Sequence, residues 1–304
     1  MNAIGTWRVS IPPARAGVGL GLRTPVAVVG AGGMLGRALL EALAADGIHH
    51  RGFTRAELDI TCEQDVARLA DYPTIINAAA WTDVDGAEAD EEGAHRLNAH
   101  AVGVLARHCR AHGATLVNYG TDYVFAGDAR SPYPLDAAIA PQNAYGRSKA
   151  AGEQVLSDEV ACGLRVLHIR TSWLWAPWGK NFVRTIAAAS ATRPQLRVVD
   201  DQRGRPTSAQ HLARATLDLL RARAEGLTHV TDAGECTWFD LAKAIVEGLA
   251  RQCEVVPCSS AEYPRPARRP AYSVLGLDNA VSVLGPRPDW RASLKEGLSK
   301  IDRA

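Results

Sequence analysis

The stretch Val26-Ala-Val-Val29-Gly30-Ala-Gly-Gly33-Met-Leu-Gly36 decides how the rest of the chain reads. Four apolar residues make a short strand, a glycine-rich turn follows, and the helical pattern Met34–Ala45 begins at once. Glycine suits three positions in such a turn: a tight bend, a close backbone approach to a pyrophosphate, and tight helix–strand packing. The bare spacing is weak, because 27 glycines in 304 residues produce it by chance roughly one time in five. The strand before it and the helix after it point to a dinucleotide site rather than a merely structural turn.

Outward from that turn the alternation continues. Residues 49–54, 74–79, 114–119 and 165–169 read as strands, and residues 88–112 and 145–156 read as helices. Strands separated by helices of this length imply parallel βαβ units, hence an α/β fold with a doubly wound parallel sheet over residues 25–172. Beyond Thr171 the rhythm breaks, with Pro177, Pro194, Pro206, Pro257, Pro264, Pro266 and Pro270. Residues 173–304 are therefore expected to be mainly a smaller C-terminal substrate lobe, from which the chain is free to return to the first. Residues 1–24 carry Arg8, Arg15 and Arg23, no acid and several breakers. They read as a non-core extension, with an organellar leader as the alternative.

Composition narrows the function. The chain has 47% apolar and 22% charged residues, 34 Lys+Arg against 33 Asp+Glu and a net charge of +1. That balance gives no global attraction to nucleic acid or lipid. No apolar run approaches the roughly 18 residues of a membrane span. Six cysteines without a Cys-x-x-Cys pair read as reduced thiols, so the expected location is the cytoplasm.

Tyr145-Gly-Arg-Ser-Lys149 opens the helical segment after the fourth strand, and a four-residue spacing puts both side chains on one helix face. With seven Tyr and five Lys, a random Tyr-x-x-x-Lys is expected roughly 0.1 times. A phenol is a reluctant proton partner at neutral pH, and a nearby ammonium would bring it toward the working range while holding a ribose hydroxyl. Thr121, at the carboxyl end of the fourth strand, is placed to orient a substrate carbonyl. The second strand ends in Thr54-Arg55 without the acid usual for NAD, so Arg55 is expected to meet a 2′-phosphate and favour NADPH, with NADH as the other option. His108 and His112 lack a third ligand, Ser148 lacks a nucleophile elbow, and no metal site is expected. Arg265, Arg268 and Arg269 form a basic cluster between prolines, suited to a diphosphate.

In this order the residues resemble the dTDP-4-dehydrorhamnose reductase family, within the extended short-chain dehydrogenase/reductases, from about Val26 to Lys300. The carriers are Asn77-Ala-Ala-Ala80, Thr121-Asp-Tyr-Val-Phe125, Pro141-Gln-Asn-Ala-Tyr145-Gly-x-Ser-Lys149-x-x-Gly-Glu153, Arg170-Thr-Ser-Trp173, Asn181-Phe-Val183, Asp200-Asp-Gln-x-Gly-x-Pro-Thr207, Trp238-Phe-Asp240 and Arg269-Pro-Ala-Tyr-Ser-Val-Leu275. The resemblance implies a Rossmann-type lobe and NADPH-dependent reduction of a 4-keto nucleotide-linked 6-deoxyhexose, dTDP-4-dehydro-L-rhamnose first. Thr121, Tyr145 and Lys149 would be catalytic. Gly30, Gly33, Met34, Leu35, Gly36, Arg55, Asp59, Ile60, Ala78, Ala79, Ala80 and Asn98 would hold the cofactor. Thr82, Val84, Asp122, Tyr123, Trp173, Asn181, Arg205 and Arg269 would face the sugar nucleotide.

Four positions depart from the family pattern: Ala38 where metal-bridged dimers carry glutamate, Trp81, Gly86, and Gly120 where serine is common. A monomer or homodimer without metal is expected. The alternatives are a reductase of a related sugar with the other C4 stereochemistry, and a non-catalytic NADP-binding regulatory subunit of the kind associated with methionine adenosyltransferase.

Overall fold

The structure, a computed structural model, describes residues 22–301. Among these residues six parallel strands form one sheet: β1 (Val26–Val29), β2 (His50–Phe53), β3 (Thr74–Asn77), β4 (Thr115–Thr121), β5 (Arg165–Thr171) and a sixth, Gly226–His229. In space the order is sixth strand, β5, β4, β3, β1, β2. The chain thus runs one way from β1 to β2 and the other way from β1 to β3, which opens a crevice at the carboxyl ends of β1 and β3. β1 is buried along its whole length, consistent with a strand covered on both faces.

Helix α1 (Met34–Ala45) packs on one face against the helix Ala209–Arg221, and Leu39, Leu43, Leu212 and Leu220 share one core cluster there. The other face is covered by the helix Ala101–His112, with Val102, Leu105 and Leu116 buried together. Each such side chain contributes roughly 1.5–3 kcal/mol on burial. A separate core in the second lobe gathers Trp175, Val183, Leu241, Ile245 and Trp290 around the short parallel pair Gln195–Val199 and Glu254–Cys258. The second half of the chain also supplies the sixth strand and the helix Ala209–Arg221 to the first lobe.

Two expectations are corrected. The expected boundary at Pro25 is late: Leu22 is buried in the α1 core cluster, and the Arg23 carbonyl accepts the Thr74 hydroxyl at 2.7 Å. A lone apolar residue among breakers shows no periodicity, so it was not legible as core. The rest of that extension, residues 1–21, lies outside the described residues. The single helix expected at 88–112 is broken into Gly86–Ala89, Glu91–His95, a π-helical turn Arg96–His100 and Ala101–His112. Asp90 restarts it as an N-cap, accepting from Gly93 N at 2.8 Å. Ala38, the departure noted in the first helix, is 2% exposed within the α1 core. Among the described residues no helix is long and apolar enough to cross a membrane, and no cluster of three or more His, Cys, Asp or Glu could hold a metal.

Candidate active site

Gly30 ends β1 with φ +76, and a Cβ there would lie 2.5 Å from Ala79 N. A Cβ on Gly36 would sit 2.2 Å from the Gly30 carbonyl. Only glycine lets the turn, α1 and the end of β3 meet this closely. Gly33 caps α1 without a side-chain hydrogen bond, and the first turn holds no acid. Its leading N–H groups and positive dipole end are therefore offered to an anion.

Two adjoining cavities flank this turn and share Gly33, Ala78, Ala79 and Ala80. The smaller, about 400 Å³, is also lined by Gly30, Arg55, Asp59 and Ile60. The larger, about 580 Å³, is lined by Met34, Leu35, Thr82, Val84, Thr121, Asp122, Tyr123, Tyr145, Lys149, Trp173, Asn181 and Arg269. Three expected site residues line neither. Gly36 works by helix packing alone. Asn98, on the π-helical turn, is buried and bonds Trp81 N and O (2.9 and 3.1 Å) and Ser148 Oγ (2.9 Å). It braces the cavity wall, and its three bonds account for the local departure from a regular helix. Arg205 is turned away, its carbonyl accepting the Ser172 hydroxyl at 2.8 Å. Sequence reasoning missed Lys180 in the larger cavity and Arg96 in the smaller; Trp238, quoted only as a family motif, lines the larger cavity, and Trp81, noted only as a departure from the family pattern, lines the smaller. Lys180 adjoins Asn181, but Arg96 carried no signal until the π turn aimed it inward.

The three residues expected to react come from two elements. Thr121 closes β4, and its hydroxyl donates to Asp122 Oδ1 at 3.0 Å while accepting Tyr123 N at 3.3 Å. Tyr145 and Lys149 stand on the first turns of the helix Ala144–Ala161, started by Asn143, whose side chain accepts Gly146 N at 2.7 Å. Asn143 Nδ2 also donates to the Arg268 carbonyl at 2.8 Å, fixing the helix start to the second lobe.

Burial sets the electrostatics. The Tyr145 phenol is pushed up to about 12 by burial, with the Thr121 hydroxyl partly offsetting this. Lys149 is pushed down to about 8 by burial, against the pull of Glu153, and its ammonium donates to the Tyr119 carbonyl at 2.6 Å. The expected lowering of the phenol by Lys149 is not in place here: burial and the Asp122 carboxyl raise it, and the ammonium is held on the Tyr119 carbonyl instead. Asp122 is pushed up to about 6 by burial, and its Oδ2 has no partner among the described residues; the nearby Ser273 hydroxyl does not complete a hydrogen bond to it. Arg269 pairs with Asp85 at 2.8 Å, which brings the basic loop to the cavity rim.

In the wall of the larger cavity Trp173 holds a left-handed backbone (φ 45) and stacks on Trp238, centroids 3.6 Å apart at 6°. Gly204 makes room, since a Cβ there would lie 2.4 Å from the Trp173 ring.

A doubly wound sheet, a glycine turn at its switch point and a Tyr-x-x-x-Lys helix beside a strand-end Thr define an extended short-chain dehydrogenase/reductase. Comparison with known proteins narrows this. The RmlD substrate binding domain model matches residues 24–303, and the chain belongs to the dTDP-4-dehydrorhamnose reductase family. It is 39% identical over 282 residues to dTDP-4-dehydrorhamnose reductase of Mycolicibacterium smegmatis, covering 91% of this chain and 85% of that one. It is 41% identical over 280 residues to dTDP-4-keto-6-deoxy-D-glucose reductase of Streptomyces niveus, covering 90% and 96%. The crystal structure of dTDP-4-dehydrorhamnose reductase from Bacillus anthracis in complex with NADP superposes with a TM-score of 0.86 at 34% identity, covering 90% and 98%.

Proposed function

We propose that this protein reduces the 4-keto group of a dTDP-linked 6-deoxyhexose, dTDP-4-dehydro-L-rhamnose first, using NADPH. The observation that carries the reading is the meeting of Thr121, Tyr145 and Lys149 in one cavity that adjoins the α1 phosphate turn.

The glycine cradle and the paired cavities fit a dinucleotide, and the nicotinamide supplies a hydride when bound. Gly33 and the α1 N-terminus hold the pyrophosphate. Arg55 and Arg96, neither ion-paired among the described residues, face the same smaller cavity and suit a 2′-phosphate. Lys149, with ammonium protons beyond the one on Tyr119, holds the ribose. Tyr145 stays protonated across the working pH range and gives its proton to the sugar oxygen as negative charge builds there. Thr121 orients that oxygen; its single proton lies toward Asp122 and turns to the substrate on binding. Trp173, Asn181 and Arg269 face the sugar nucleotide.

Purified protein with NADPH and dTDP-4-dehydro-L-rhamnose tests the reading. NADPH consumption and NMR identification of dTDP-L-rhamnose are expected, and no turnover ends it. Similarity to a 4-keto-6-deoxy-D-glucose reductase keeps a second sugar in view, and the same NMR experiment on that substrate separates the two. Arg55→Ala should weaken NADPH by about 1.5–3 kcal/mol and leave NADH nearly unchanged; equal effects on both would remove Arg55 from the 2′-phosphate. The protein is read as a monomer or metal-free homodimer.

A further inference from the structure

At the opposite end of the sheet, where β3, β4 and β5 begin, a concavity of about 280 Å³ is walled by Arg23, Arg165 and Arg223, with Thr74, Thr115 and Glu225 beside them. Arg23 leads into β1, Arg165 opens β5, and Arg223 follows the helix Ala209–Arg221 with φ 58. The guanidiniums of Arg23 and Arg165 both donate to one oxygen, the Gly113 carbonyl. Two like charges are thus drawn to the same point. Among the described residues none of the three arginines is ion-paired, Glu225 included as a partner, and the Arg223 guanidinium and Thr115 hydroxyl make no hydrogen bond.

Tying down the Gly113 turn accounts for Arg23 and Arg165, because a carbonyl has two lone pairs. It does not account for Arg223. Three guanidiniums and one carboxylate leave two positive charges in the wall. The preceding residues 1–21 contain no Asp or Glu, so that segment brings no counter-charge. Arginine forks arriving from three elements match the oxygens of a tetrahedral anion better than a planar one.

We propose that this concavity binds a doubly charged tetrahedral oxyanion, free phosphate or a phosphomonoester. It stands at the far end of β4 from Thr121, seven residues along one strand and roughly 20 Å away. It is therefore separate from the phosphate positions of the cofactor.

The test uses the full chain saturated with NADPH and dTDP, so that the phosphate subsites of the cofactor and of the sugar nucleotide are both filled. Melting temperature is followed against inorganic phosphate, glycerol phosphate as the phosphomonoester, or sodium chloride at matched ionic strength. A saturable rise with phosphate or the ester, absent with chloride, is expected, and the tighter of the two identifies free anion or ester. Arg223→Gln, which removes a charge without removing a contact, should weaken the anion at least tenfold and leave basal turnover unchanged. Arg165→Ala should weaken it as much. A rise equal to that with chloride, or an unaltered anion affinity in Arg223→Gln, would overturn the proposal.

Discussion

Two successive stretches of one helix, Ala144–Ala161, treat buried charge in opposite ways. At its start, Tyr145, Lys149 and the facing Asp122 are under-satisfied: among the described residues Lys149 makes one hydrogen bond, to a carbonyl, and Asp122 Oδ2 makes none. One turn on, Glu153 is 1% exposed and accepts Arg170 Nε at 3.0 and 3.2 Å, Arg170 Nη2 at 2.8 Å and His168 Nε2 at 3.1 Å. The Arg170 guanidinium and the His168 partner hold that carboxyl down at about 2 despite complete burial. Polar groups left short of partners stand where a ligand enters, and complete networks stand where the scaffold must not move.

The sharpest way to break this comparison is Tyr145→Phe. It should lower kcat by about 10²–10⁴-fold with NADPH affinity unchanged, as read by fluorescence titration beside steady-state turnover. Lys149→Met should damage both. Near-full turnover in Tyr145→Phe would take the proton donor out of the reading.

Glu153→Gln should act on the fold. Removing one partner of a buried pair costs about 3–5 kcal/mol, so the melting temperature should fall steeply in thermal denaturation. A variant as stable as the parent but inactive would place Glu153 with the chemistry instead.

Asp122→Asn should do the reverse. Its folded-state carboxyl titrates near 6, above the ordinary value of about 3.9. The folded form therefore keeps a proton that the unfolded chain has lost. Stability is lost as pH rises from about 4 to 6 and stays lost above, up to about 3 kcal/mol. The stability gained by Asp122→Asn should accordingly grow between pH 4 and pH 7. A gap that is flat with pH would contradict the strained carboxylate.

The mildest effect is on the pH profile. With Lys149 titrating near 8 in the free protein, kcat/KM should fall roughly tenfold per pH unit above that value, because the charged ammonium is needed. Tyr145, at about 12, adds no limb in this range. A profile flat to pH 10 would show that another group holds the ribose.

Local signals made much of this legible. β1 and α1 could be read because the glycine turn separates a strand from a helix within eleven residues, and Tyr145 and Lys149 because a four-residue spacing means one helix face. What escaped depends on contacts distant in sequence. The π-helical break at residues 96–100 goes with Asn98 reaching Ser148, fifty residues on. The inward placement of Arg96 follows from that break. The Trp173–Trp238 stack joins residues 65 positions apart and was visible only as two separate family motifs.

That stack has an optical consequence. Indoles 3.6 Å apart and 6° from parallel couple their electronic transitions, so the pair should produce a circular-dichroism couplet and a quenched emission that the other tryptophans do not. Because both rings line the larger cavity, a ligand settling against them would alter the coupling directly. The protein thus carries a label-free spectroscopic probe of occupancy, one that Trp173→Phe should silence.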